Sequence, residues 1–141
     1  MRIFLSYAEK DAVLAGKLAA LLTDDGHKVW VSDEEIAFGD NWAKKMGKAL
    51  DESECMVILL TSGAMKSDLL RQHIDFALGA KKFAHRVFTV FVGAVSEAGK
   101  DIPWILLKLP TCFIGSPRDF DVAVAGIQAL SEKANLSHSN A

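Results

Sequence analysis

His73 has a side chain able to do acid–base chemistry in a place where its neighbours do not call for one. The stretch SDLLRQHIDFALG, residues 67–79, carries Leu69, Leu70, Ile74, Phe76 and Ala77 at the three-and-four spacing of one helix face, with His73 among them. A titratable ring in an apolar stripe is either a buried, hydrogen-bonded core histidine or a group at the rim of a pocket. As a neutral imidazole it can accept or donate a hydrogen bond; protonated, it is a cation. The cysteines offer less. Cys55 and Cys112 each fall in an apolar, strand-like run without metal or redox spacing, where a free thiol behaves as a small hydrophobe. The four histidines are scattered, and no metal site is implied.

Several chemistries are excluded by what the chain lacks. Gly63-Ala64-Met65-Lys66-Ser67 has the ending of a phosphate-cradling loop but not its upstream glycine spacing. No GxGxxG follows the first apolar run, and there is no GxSxG elbow or HExxH helix. A phosphoacceptor domain would want an aspartate closing the third strand, where Thr61 and Ser62 stand. The formal charge is −2, with signs interspersed, so there is no basic track for nucleic acid. No apolar run approaches the roughly 20 residues needed to span a bilayer. No secretory leader precedes the first strand, and Met1 reads as a natural start. A cytoplasmic protein is the expectation.

The elements that must position His73 follow from periodicity. With 141 residues, half of them apolar, the chain is the size of one domain. Arg2–Tyr7 reads as a first strand, and Lys10–Asp25 as a helix with Leu14, Leu18, Leu21 and Leu22 buried and Gly26 as its stop. Lys28–Ser32 is a second strand. A loop, Asp33–Asn41, leads to a helix carrying Trp42, Met46, Ala49 and Leu50. Glu54–Thr61 is almost continuously apolar, the pattern of a central parallel strand. After the His73 helix come Arg86–Gly93, a short turn over Trp104–Leu107, and a weaker strand over Leu109–Ile114. Ser116, Pro117 and Asp119 then open a last helix with Phe120, Val124, Ile127 and Leu130 as its stripe. Residues 1–134 form the domain, and 135–141 a polar, frayed tail.

Strands alternating with helices predict an α/β fold, a doubly wound five-stranded parallel sheet with helices on both faces. Such sheets bind ligands at the carboxyl ends of their strands. This selects Ser6–Lys10, Asp33–Trp42 and Ser62–Ser67. Tyr7, the single tyrosine, suits either packing or a pocket wall. Glu9 and Asp11 read as charges favouring the first turn of the next helix, and Asp68 does the same for the His73 helix. Ile36, Ala37 and Phe38 lie between acidic residues as a small greasy patch, open for docking or tucked onto the core. Trp42 reads as a core anchor more than an aromatic platform.

RIFLSYAEKD, GHKVWVSDEEIAFGDNW, ILLTSGAMKS and DIPWILLKL, in that order and spacing, resemble a Toll/interleukin-1 receptor (TIR) domain of the bacterial type, from Arg2 to about Leu130. The resemblance implies the flavodoxin-like TIR fold. It also implies one of two functions: cleavage of NAD to nicotinamide and an ADP-ribose-type defence signal, or signalling through assembly with other TIR domains or a partner subunit. No cofactor is required, and NAD is a candidate substrate or ligand. Residues placed at the ligand pocket are Ser6, Tyr7, Asp33, Phe38, Trp42 and Leu69. The interaction loop comprises Glu34, Glu35, Ile36, Phe38 and Gly39.

In the cleaving members a W-x-x-x-E motif supplies an essential glutamate. Laid on this chain, the tryptophan falls on Leu69 and the glutamate on His73. An imidazole brings no negative charge to a developing oxocarbenium, and losing one such partner costs about 10² to 10³ in rate. Asp75 is the candidate substitute, but on a helix it points roughly 200° from His73. Basic residues that some cleaving relatives carry after the first strand are replaced by Ala8 and Glu9. The expected function is therefore assembly with retained nucleotide binding; the alternative is an active NAD glycohydrolase or cyclase.

Overall fold

The computed structural model describes residues 1–31, 48–49, 51–79, 86–93 and 108–139. Its strands are β1 (Arg2–Ser6), β2 (Lys28–Val31), β3 (Cys55–Leu60), β4 (Val87–Val92) and β5 (Thr111–Ile114); its helices are α1 (Ala12–Asp24), α2 (Asp68–Gly79) and α3 (Phe120–Ser139). The strands form one five-stranded sheet in the order β2-β1-β3-β4-β5. Every pairing is parallel, with Ser6 opposite Ile58 and Ile58 opposite Thr89.

Alternation along the strands sorts side chains onto two covered faces. Phe4, Met56, Ile58, Leu60, Val87 and Phe91 meet Leu70 and Ile74 of α2. On the reverse face, Ile3, Leu5, Val57, Leu59, Phe88 and Val90 meet Ala15, Leu18 and Leu22 of α1 and Phe120, Ala123 and Ile127 of α3. All six residues of β3 are buried, because a central strand roofed on both sides has no polar face to show. This is the doubly wound α/β arrangement expected from the sequence.

Helix ends follow local chemistry. Gly26 takes φ +95° just past α1, a left-handed conformation that favours glycine, and ends the helix as read. The Leu70 amide donates to Ser67 Oγ at 3.2 Å, and the Arg118 amide to Ser116 Oγ at 3.3 Å, so both serines cap the segments they precede.

Two expectations need correction. Leu21 is 42% exposed; the buried stripe of α1 runs through Ala15, Leu18 and Leu22, leaving Leu21 on its flank. Residues 135–139, read as a frayed tail, are helical and continue α3 to Ser139. No glycine or proline interrupts the chain between Ile127 and Ser139, so nothing there stops a helix once started. Most of the second predicted helix, including Trp42 and Met46, and the turn over Trp104–Leu107 lie outside the described residues.

Candidate functional site

β1 ends at Ser6, and α2 runs back over the same sheet face. The outcome is a contact between two residues far apart in sequence: Ser6 Oγ and His73 Nδ1 share a hydrogen bond at 2.7 Å. Both residues are completely buried. The His73 ring also stands edge-on to Phe4, with centroids 5.4 Å apart. Burial pushes the pKa of His73 down from its ordinary value to about 4, so the ring is neutral at pH 7. Of the two sequence readings, the structure gives the buried, hydrogen-bonded histidine. The Ser6 hydroxyl is engaged by the ring.

Of the other expected site residues, the structure describes Tyr7 and Asp75. Tyr7 is buried in the opposite core with Leu18 and Phe120, where it packs. Asp75 is exposed, as the helical period requires with His73 facing inward. Arg71 pairs with Asp68 one turn earlier on α2, in a surface ion pair. Leu69 lies in the first turn of α2, and its side chain is outside the described residues. Asp33, Glu34, Glu35, Ile36, Phe38, Gly39 and Trp42 are also outside them.

Sequence reasoning missed a second constellation. At the carboxyl edge of β1 and β3, the Thr61 hydroxyl donates to Asp11 Oδ2 at 2.6 Å and accepts from Lys10 Nζ at 2.6 Å. Lys10 Nζ also donates to Asp11 Oδ1 at 3.2 Å, closing a triangle. Asp11 precedes α1, but its carboxylate makes no capping bond to that helix. Asp11 remains an acid at the helix start, and its carboxylate also has two charge-assisted partners. Gly63, at φ +78°, turns the chain beneath Lys10, whose Cε would lie 3.9 Å from a Cβ at that position. A usable signal was present: Lys10 and Asp11 follow one strand, Thr61 follows another, and in a parallel sheet these ends coincide.

Thiol chemistry is not offered. Burial pushes the Cys55 thiol up to about 12, and burial also raises that of Cys112. Among the described residues, no group of three or more His, Cys, Asp or Glu side chains could hold a metal ion. No described helix is long and apolar enough to cross a membrane.

Comparison with known proteins bears on the fold and the family. No curated protein matches this chain. Among solved structures, the chain is similar to a metazoan TIR-STING receptor from C. gigas, determined in complex with 2',3'-cGAMP, with a TM-score of 0.73 at 18% identity. The match covers 92% of this chain and 39% of that one, so the chain spans about two fifths of the neighbour's length. At that identity the likeness is one of fold. A family model for the TIR domain matches residues 3–111, which carry β1, the Ser6–His73 contact and the Lys10–Asp11–Thr61 triangle. The chain belongs to the TIR domain family.

Proposed function

We propose that this TIR domain is a signalling and defence module that acts by assembling with other TIR domains or a partner subunit. It retains binding of an NAD-type nucleotide and lacks glutamate-dependent NAD cleavage. The observation carrying this reading is the state of His73. The position that the family motif gives to a glutamate holds a neutral ring, wholly buried and bonded to Ser6. Such a group neither presents an anion to ribose hydroxyls nor offsets positive charge on a sugar carbon as nicotinamide leaves. Exposed Asp75 supplies no replacement. Assembly is assigned to the loop with Glu34, Glu35, Ile36, Phe38 and Gly39, whose apolar centre and acidic flanks suit a docking segment.

Two measurements on purified protein test the reading. Prolonged incubation with NAD at high protein concentration, followed by chromatography, is expected to release no nicotinamide, with or without conditions that favour assembly. Release that changes in His73→Ala would overturn the non-catalytic reading. Analytical ultracentrifugation is expected to show assembly that weakens in Glu34→Lys and Phe38→Ala. An unchanged distribution in both variants would overturn the assembly reading.

A further inference from the structure

The order β2-β1-β3-β4-β5 leaves β2 and β5 at the two ends of the sheet. β2 begins with the exposed Lys28, and a charge on an edge discourages another chain from pairing there. β5 has no such guard, since Thr111, Cys112, Phe113, Ile114 and the following Gly115 carry no charge. Its backbone faces two ways. The Thr89 amide donates to the Pro110 carbonyl at 3.1 Å and the Gly93 amide to that of Ile114 at 2.9 Å, so the even-numbered residues bond to β4. The N–H and C=O groups of Thr111 and Phe113 therefore point away from the sheet, and among the described residues nothing bonds to them. The Phe113 ring follows the same division. It stacks on Phe91 with centroids 4.8 Å apart and planes 13° apart, yet Phe113 stays 49% exposed, because its second face turns past the edge.

We infer that β5 is a self-association edge, on which a second copy of this chain seats its own β5 antiparallel across a two-fold axis through Phe113. Outward backbone groups pair only with outward groups, so odd-numbered residues lie opposite odd-numbered ones. Of the registers this allows, the one centred on Phe113 sets the two Phe113 rings side by side and carries the Phe91–Phe113 stack across the axis. It also places Thr111 opposite Gly115 and, on the reverse face, Cys112 opposite Ile114. The strand meets itself, and with no charged residue in it no like charges are brought together. Assembly of TIR domains thereby gains a second surface that does not use the docking loop: the edge closes on two copies, and loop docking joins such pairs into larger species. A strand pair this short lies below the standard interface size, so the dimer is expected to be weak, with a Kd on the order of 100 μM.

Sedimentation equilibrium of the full chain carrying Phe38→Ala, which removes loop docking, tests the edge alone. A monomer–dimer equilibrium is expected, and only monomer when Phe113→Lys is added, since two ammonium groups would meet at the axis. Phe113→Lys also forfeits the stack on Phe91, so Thr111→Pro is the companion variant. It deletes one outward N–H, leaves the bonds to β4 and the aromatic stack in place, and is expected to weaken the dimer about tenfold. A Phe38→Ala protein that stays monomeric up to about 1 mM, or a dimer that survives both added substitutions, would overturn the edge contact. Loop docking is judged separately, by whether Phe38→Ala removes the larger species of wild type. A second measurement uses wild type alone. Hydrogen exchange at the Thr111 and Phe113 amides is expected to slow about fivefold between dilute protein and about 1 mM, while exchange at Ile74 inside α2 stays constant. Exchange at the two edge amides that ignores concentration would overturn the proposal independently.

Discussion

A buried histidine is stable only if it stays neutral and finds a partner, and His73 does both. Its ring occupies a fully enclosed site, bonded to Ser6 Oγ and set edge-on to Phe4. Removing it leaves the Ser6 hydroxyl unpaired in an apolar layer and opens a cavity. His73→Ala is therefore expected to cost about 3 kcal/mol in chemical denaturation, and His73→Gln, which can still reach Ser6, clearly less. The same burial makes stability depend on pH. The ring titrates near 6.5 when unfolded and at about 4 when folded. Between those values the unfolded chain binds a proton that the native state refuses, so stability is full above about pH 6.5 and falls as pH drops toward 4. The loss approaches about 3 kcal/mol. Urea midpoints across that range are expected to fall more steeply in wild type than in His73→Gln; parallel curves would place the acid sensitivity elsewhere.

At the scale of elements, helix α3 shows what packing demands of a single position. Gly126 lies mid-helix, where glycine costs about 1 kcal/mol relative to alanine. A Cβ there would stand 2.8 Å from Phe88 Cζ and 3.2 Å from Cε2, and Phe88 is fixed in the core. Gly126→Ala is expected to destabilise by about 1 to 2 kcal/mol in spite of its better helix propensity. Gly16 on α1 meets nothing within 4 Å, so Gly16→Ala is expected to stabilise by about 0.5 to 1 kcal/mol. Thermal denaturation of the pair checks both signs. What the sequence disclosed at this scale has the same physical basis. The strands were legible because the central ones are continuously apolar, and the caps because Ser67 and Ser116 stand directly before their turns. The flank position of Leu21 was not, since leucine at three-residue spacing looks the same at the edge of a stripe as at its centre. The length of α3 was obscured by polar residues that a helix surface tolerates as readily as a tail does.

For the whole molecule, the site was legible in part. Parallel topology named the sheet end and the segments that meet there, and the motif placed a histidine where the family has a glutamate. Whether that ring faced a pocket or the core was settled only by how α2 rolls onto the sheet, which spacing leaves open. The Lys10–Asp11–Thr61 triangle joins Asp11 to a residue 50 positions further on, and depends on the chain returning β3 beside β1, a pairing that no local pattern encodes. This separation of scales gives the last prediction. The proposed function puts assembly on the loop with Glu34, Glu35, Ile36, Phe38 and Gly39, and the Ser6–His73 bond lies in the interior, so variants at the two places are expected to have different effects. His73→Gln is expected to lower the unfolding midpoint and leave the sedimentation profile unchanged, because a buried exchange alters no docking surface. Phe38→Ala is expected to do the reverse, weakening association while the midpoint measured on dilute monomer stays within about 0.5 kcal/mol of wild type. If His73→Gln dissolved the assembly as well, the buried pair would be acting on the docking loop, and the domain would have to be described as one coupled unit in which position 73 controls association.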